Sequence, residues 1–346
     1  MSNWKVLSVS LDASIEDAIR AINEGAMQIA LVLDPAGRLR GSVTDGDVRR
    51  ALLQHVALTE PVKDIMNPAP TSVFQGTPRE NVVALMNAHR LNQIPVVDCE
   101  LRVVGIETLH ENAAMPCFDN WVFLLAGGFG KRLRPLTNVV PKPMLPVGGK
   151  PVLEIIIEKF INQGFRRFYV AVHYMADKIK AHFGDGEKWG ANIRYVEEEL
   201  PLGTAGALAL LPEGNDLPMI VMNGDLMTRV NFIDLLHFHK YHQAVATMCG
   251  HAHSYQVPFG VVEADGHEVR GIVEKPVYKH FVNAGIYIIS PQIINKVPKG
   301  IPLDMPDLLQ GLIDEDQKVC FFPLHEYWLD IGRIPDLERA KLEFME

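Results

Sequence analysis

Three glycines and three cations crowd into eight residues of this chain: Gly127, Gly128 and Gly130, then Lys131, Arg132 and Arg134. Glycine reaches positive φ and lets backbone N–H groups close on an anion, while the cations add charge-assisted hydrogen bonds, so the turn is suited to holding polyphosphate. From Asn120 to Pro151 there are five basic residues, Lys142 and Lys150 completing the set, and no acidic one, although the whole chain has a formal charge of -9. The positive charge is local. Spacing excludes two common phosphate motifs. A P-loop requires glycine where Leu125 stands and a hydroxyl residue where Arg132 stands. A dinucleotide fingerprint starting at Gly128 requires glycine where Leu133 stands. In isolation the stretch is equally consistent with a structural turn and a solvated basic face.

An acidic partner follows. Asp225, in MNGDL (222–226), comes directly after the apolar run MIV, and a carboxylate at a strand end beside a triphosphate suits Mg2+. Without such a neighbour, Asn-Gly-Asp is more often simply a turn. A second candidate metal group, His237, His239 and His242, falls on a predicted helix. Residues two apart on a helix do not face one another, so only His239 and His242 share a surface, and a solvated helix face is the expected reading. Cys99, Cys117, Cys249 and Cys320 form no CxxC pair, which indicates neither zinc nor a disulfide framework; buried thiols are expected.

The elements that must position these groups are legible from periodicity. From Trp121 onward, apolar runs alternate with helical patterns: WVFLLA then PVLEIIIEKFINQG, FYVAVHY then MADKIKAHFG, MIVMNGD then NFIDLLHFHKYH. That order predicts an α/β sheet with crossover helices, and phosphate ligands at the carboxyl ends of its strands. Residues 1–115 instead contain a repeat. Helices are predicted at 13–25 and 78–91, each followed by a strand, 28–34 and 93–98, with Thr44 and Thr108 in equivalent places 64 positions apart. The halves, about 1–60 and 61–115, are linked near Pro68 and Pro70.

The 346 residues suffice for two domains, and 48% hydrophobic with 22% charged residues is a globular composition. A net negative chain without a basic stripe excludes nucleic acid as a partner. The start lacks a basic segment followed by an apolar core, and no run of some 18 apolar residues occurs; no membrane partner and a cytoplasmic location are expected.

The stretch LLAGGFGKRLRPLT (124–137) continues into PKPMLPVGGKPVLE (141–154), and together they resemble the signature of the sugar-1-phosphate nucleotidylyltransferases. Lys131 departs from it, standing where many members have threonine. EEELPLGTAGAL (197–208), MNGDL, VEKP (273–276) with FVNAGIYII (281–289), and WLDIGRIPDLERA (328–340) follow in the family's order. The resemblance implies a Rossmann-like mixed-sheet α/β domain over 120–346. It implies Leu125, Ala126, Gly127, Gly128, Gly130, Glu198, Gly203 and Thr204 at the nucleotide, and Gly224, Glu274, Lys275, Asn283 and Gly285 at the sugar. Arg132, Lys142, Asp225, Lys275 and Asp330 are the implied catalytic residues, with Asp225 and Asp330 on Mg2+. Because a carboxylate only accepts hydrogen bonds, Glu198 suits the adjacent N1–H and N2–H2 donors of guanine better than uracil or thymine.

The N-terminal repeat resembles a tandem pair of cystathionine-β-synthase (CBS) modules, an α+β domain pair preceding the transferase. That resemblance implies an adenosine nucleotide at Thr44 and Asp47 in GSVTDGDV (41–48), and in the second half at Thr108, where Glu111 replaces the aspartate. A packing module without ligand is the alternative. The two resemblances imply transfer of a nucleotidyl group from an NTP, GTP foremost, to a hexose 1-phosphate, glucosamine 1-phosphate or mannose 1-phosphate, and a homo-oligomer. A uridylyl- or thymidylyltransferase acting on glucose 1-phosphate, or a non-catalytic nucleotide-sensing scaffold, remain the alternatives.

Overall fold

The computed structural model describes residues 4–25, 27–89, 91–109 and 117–343. They fall into two compact units, Met1–Ala114 and Met115–Glu346.

The first unit uses one plan twice. Its first half runs β1 (Ser8–Ser10), α1 (Ile15–Gly25), β2 (Ile29–Leu33), β3 (Leu39–Thr44) and α2 (Asp45–Leu53); its second runs β4 (Val73–Phe74), α3 (Arg79–His89), β5 (Gln93–Val97) and β6 (Val103–Thr108). Each half makes a three-stranded sheet whose first pair is parallel and second antiparallel. Ser14 and Asp17 start α1 reciprocally, Ser14 N–H and hydroxyl donating to Asp17 Oδ2 at 3.1 and 2.8 Å while Asp17 N–H donates to Ser14 Oγ at 3.1 Å. Ile15, Ala18, Ile19 and Ile22 then form its buried stripe.

The repeat extends to single hydrogen bonds. Asp34 Oδ1 accepts from the N–H groups of Ala36 and Arg38, both at 2.9 Å, and 64 positions later Asp98 Oδ1 accepts from Glu100 and Arg102 at the same distance. Both turns close through a left-handed residue, Gly37 (φ 78°) and Leu101 (φ 63°). Leu39 N–H donates to Leu101 O, and its repeat mate Val103 N–H donates to Gly37 O. Leu7, Ile29 and Leu31 share a buried cluster with Val97, Val103 and Ile106, so neither half completes its core alone. Thr44 and Asp47 cap α2: Thr44 donates from N–H and hydroxyl to Asp47 Oδ2 at 2.8 and 2.6 Å, and Arg50 pairs with Oδ1. Thr108 ends β6, its carbonyl accepting from Arg79; Glu111 lies outside the described residues.

In the second unit β7 (Phe118–Leu125) leads to a small hairpin, β8 (Pro146–Val147) with β9 (Lys150–Pro151), and to helix α4 (Val152–Asn162). Next come β10 (Phe165–Val172), α5 (Ala176–Phe183), β11 (Asn192–Glu197), α6 (Gly203–Gly206), β12 (Met219–Asn223), β13 (Leu226–Thr228) and α7 (Phe232–His242). The remainder is β14 (Ala246–Gln256), β15 (Val261–Asp265), β16 (Glu268–Val273), β17 (Val277–Ile289), α8 (Pro291–Ile294), α9 (Met305–Asp314), β18 (Val319–Leu324), β19 (Trp328–Asp330) and α10 (Ile334–Glu343). Seven strands form one sheet in the order β11-β10-β7-β12-β17-β14-β18. The first four are mutually parallel, whereas β17 is antiparallel to both its neighbours. Alternation along β7 sends Val122 and Leu124 into one buried cluster and Phe123 into the other, so both sheet faces are covered. β14 and β17 continue past the sheet as a two-stranded arm tipped by the β15–β16 ribbon.

Two expectations are corrected. His239 is buried on α7, with Nδ1 2.9 Å from Thr247 Oγ1 and Nε2 3.1 Å from Ser290 Oγ, so it is a packed connector between elements and not part of a solvated face. No group of three or more metal-ligating side chains exists among the described residues. Of the cysteines only Cys249 is buried; Cys320 is intermediate, and Cys99 and Cys117 are exposed. No described helix is long and apolar enough to cross a membrane.

Candidate active site

Because β11, β10, β7 and β12 lie side by side and parallel, the residues at or just past the end of each emerge along one edge: Glu198, His173, the Ala126–Gly130 turn, and Asn223–Gly224–Asp225. Gly224 draws two of these segments together. Its N–H donates to Leu125 O at 2.8 Å, and a Cβ there would meet the same oxygen at 2.8 Å, so only glycine permits the approach. Gly130 does the same for the phosphate turn. At φ 61° it sits where a Cβ would stand 2.8 Å from Thr137 Cγ2 and 3.1 Å from Lys142 Cβ, so its absence lets the turn pack against the Pro-Lys-Pro segment.

The two aspartates arrive by different routes. Asp225 precedes β13 and Asp330 ends β19; these strands pair antiparallel with Leu226 opposite Asp330, and Ile331 N–H donates to Asp225 O at 3.1 Å. Lys142 Nζ forms an ion pair with Asp225 Oδ2 and lies 3.7 Å from Asp330 Oδ1. The Arg132 guanidinium and the Asp330 carboxylate both lie within 4 Å of where a Gly332 side chain would begin. Arg132, Lys142, Asp225 and Asp330 are thus gathered in one place. Burial, and then the charge of Asp225, raise the pKa of Asp330, with Lys142 and Arg132 opposing. Among the described residues Asp225 Oδ1 is buried without a hydrogen-bond partner, as is Asn223 Oδ1.

Beside this cluster is a cleft of about 280 Å3 lined by Leu125, Gly127, Gly128, Lys142, Glu198, Gly203 and Thr204, among others. Glu198 is held by its own neighbourhood. Its Oε2 accepts from Leu202 N–H at 3.0 Å, its Oε1 stands 3.0 Å from a Cβ position on Gly127, and its carbonyl lies 2.6 Å from His173 Nδ1. Thr204 is committed to the chain: its N–H donates to Asp304 Oδ1 at 2.9 Å, and its hydroxyl accepts from Met305 N–H at 2.7 Å at the start of α9.

The expected sugar residues are more dispersed. Gly285 backs onto the Asn223 side chain. Asn283 Oδ1 accepts from Gly285 N–H at 3.0 Å and from the Tyr287 hydroxyl at 2.8 Å, leaving its amide nitrogen for another partner. Glu274 and Lys275 stand exposed on the arm, between β16 and β17, and do not line the cleft; Lys275 is left-handed at φ 48°. Sequence reading passed over Phe129, His173, Asn223 and Asp304. The first three line the cleft. For His173 and Asn223 the available signal was position, at or just past the end of a parallel strand. A larger cavity of about 660 Å3, bounded by Ile155, Lys159, Met227, Arg229, Phe232 and Tyr327, lies away from the glycine turn.

Comparisons with known proteins identify the family. The nucleotidyl transferase family matches residues 122–346, and the CBS domain matches residues 1–54 and 62–106. A UTP–glucose-1-phosphate uridylyltransferase of Synechocystis is 32% identical over 237 residues, covering 63% of this chain and 61% of that protein. Mannose-1-phosphate guanyltransferase beta-B of Xenopus laevis is 33% identical over 221 residues, covering 62% and 61%. The chain therefore matches about three fifths of the length of these relatives. Among solved structures, HddC from Yersinia pseudotuberculosis complexed with GMP-PN is 28% identical with a TM-score of 0.52, covering 65% of this chain and 99% of that one. With 225 of its 346 residues matched, and with the glycine turn, cations and paired aspartates assembled at one sheet edge, the chain belongs to the nucleotidyl transferase family and carries a pair of CBS domains ahead of that fold.

Proposed function

We propose that residues 120–346 form a sugar-1-phosphate nucleotidylyltransferase that uses GTP and a hexose 1-phosphate, glucosamine 1-phosphate or mannose 1-phosphate. The observation that carries this reading is the convergence of Arg132, Lys142, Asp225 and Asp330 beside a cleft whose wall holds Glu198. A phosphate oxygen of the sugar phosphate attacks the α-phosphorus of the nucleotide; the bond from that phosphorus to the bridging oxygen of the β-phosphate breaks, and pyrophosphate leaves with the electron pair. The nucleophile is already an anion, so no covalent enzyme intermediate and no general base are required. The protein's task is to bring two anions together and hold them in line. Arg132 takes the departing pyrophosphate, Lys142 the α-phosphate, and Lys275 the attacking phosphate. Since Lys275 stands on the exposed arm, this role requires the arm to lean over the cleft when sugar phosphate is present.

A divalent ion fits the paired aspartates. Two carboxylates, with Asp225 Oδ1 buried and unpartnered among the described residues, are a hard oxygen donor set, and Mg2+ is the ion such a set takes together with phosphate. When bound it would neutralise phosphate charge and orient the reactants.

Guanine is the base supported by the acceptor-only Glu198 and by the GMP-PN complex of a structural relative. A uridylyl- or thymidylyltransferase acting on glucose 1-phosphate is the second reading, favoured by the Synechocystis relative. The CBS pair senses an adenosine nucleotide through Thr44 and Asp47, and the protein acts as a homo-oligomer in the cytoplasm. Pyrophosphate release across a panel of nucleoside triphosphates and hexose 1-phosphates tests the reading. Release with GTP above all others supports it, release with UTP or dTTP alone transfers it to the second reading, and none with any pair leaves a scaffold. Calorimetry with AMP, ADP and ATP tests the sensor, which fails if none binds.

A further inference from the structure

The two aspartates already hold a cation, and it belongs to the chain. The Lys142 ammonium is paired with Asp225 and stands 3.7 Å from Asp330, and its side chain is only 11% exposed. We propose that Lys142 occupies the place of the divalent ion until that ion arrives, so that metal loading and the release of Lys142 toward the substrate phosphates are a single exchange. This rests on the preceding reading of Asp225 and Asp330 as a cation site.

Three observations carry it. An ammonium and a divalent ion cannot both sit in contact with the same carboxylate oxygens, because like charges a few ångströms apart repel strongly in a half-buried site. The ammonium also satisfies the pair incompletely: among the described residues Asp225 Oδ1 remains buried without a partner, and Asp330 Oδ1 stands 3.7 Å from the ammonium, beyond hydrogen-bond distance. A multidentate oxygen-seeking ion uses acceptors that a single ammonium leaves idle. Finally, Lys142 has somewhere to go. It lines the cleft together with Gly127 and Gly128 of the phosphate turn, and its four-carbon stem can swing without moving the backbone. The exchange has a functional consequence. Lys142 holds the aspartates together at rest, lowers the site's affinity for free metal, and becomes available to phosphate only once the site is loaded.

The test reads metal affinity, not turnover. Mn2+ uptake by the full chain without nucleotide, followed by electron paramagnetic resonance or calorimetry, should be at least roughly tenfold tighter in Lys142→Met than in the wild type, since a competing charge has been removed. Lys142→Arg keeps the charge and should stay nearer the wild type. Without metal the Met variant should melt at lower temperature, because its aspartates repel, and Mn2+ should raise its melting temperature more than that of the wild type; Lys142→Gln should behave likewise. If Lys142→Met binds Mn2+ no more tightly while Asp225→Asn abolishes uptake, the cation site stands and the exchange is refuted. If Asp225→Asn binds as the wild type does, or no variant takes up Mn2+, the cation site and the exchange fall together.

Discussion

Replacing Glu198 by glutamine isolates the base-reading hypothesis, because the structure dictates which way the new amide must turn. Glu198 Oε2 is held by Leu202 N–H at 3.0 Å, just ahead of the Gly203–Thr204 pair. In Glu198→Gln the amide oxygen can keep that bond, so the Pro201–Gly203 segment stays in place. The amide NH2 then takes the position of Oε1, beside Gly127 in the cleft wall. An acceptor becomes a donor opposite the N1–H and N2–H2 donors of guanine. Losing that one acceptor and leaving donors opposed in the cleft wall costs about 1–3 kcal/mol. At about 1.4 kcal/mol per factor of ten, kcat/KM for GTP should fall between about fivefold and 150-fold. UTP and dTTP, whose bases present acceptors on either side of one donor, should lose less or gain. His173 is held by the Glu198 carbonyl and is unaffected, so its wall of the cleft serves as an internal control. Initial rates of pyrophosphate release for GTP, UTP and dTTP with one sugar phosphate give the ratio directly. An unchanged GTP-to-UTP ratio in a folded variant would show that this carboxylate does not read the base.

Three further outcomes are expected. Lys142→Ala should lower turnover by about 100-fold or more, the usual cost of removing one donor to transition-state charge, and near-normal turnover would remove Lys142 from the chemistry. Burial lowers the pKa of His239 from 6.5 to about 4. Ser290 Oγ donates to Ala244 O at 3.1 Å and so must accept from His239 Nε2–H, which fixes a neutral ring with Nδ1 accepting from Thr247. The unfolded chain therefore binds the extra proton first: this stability is fully present above pH 6.5 and falls by up to about 1.4 kcal/mol per unit as the pH drops toward 4. Urea unfolding at several pH values should show that slope reduced in His239→Gln, and an identical slope would assign it elsewhere. Leu101, half exposed and left-handed where its repeat mate is Gly37, should gain about 0.5–1 kcal/mol on replacement by glycine, the relief of left-handed strain outweighing the added chain entropy. A lower denaturation midpoint in Leu101→Gly would contradict this.

Much of this was legible in the linear chain because it rests on local chemistry. The glycine-cation turn, the strand preceding Asp225 and the succession of apolar runs and helical patterns are properties of neighbouring residues, and neighbours need no tertiary contact to declare themselves. The 64-residue repeat was equally visible, and its structural echo runs from the Asp34 and Asp98 turns to Gly37 and Leu101. Some readings failed for lack of burial. His239 shares a helical face with His242 by spacing alone, yet only the packing of α7 against β14 and β17 shows that it is enclosed between Thr247 and Ser290. What the fold alone decided is adjacency between distant segments. Asp225 and Asp330 are 105 residues apart and meet because β13 pairs with β19; Thr204 finds Asp304 because α9 begins beside it; and Lys142 reaches both aspartates because Gly130 has no side chain to hold the turn away. Residue types state which charges are available, but the ion pair that joins them is a distance, and that distance is set by strand order and by close backbone packing at two glycines.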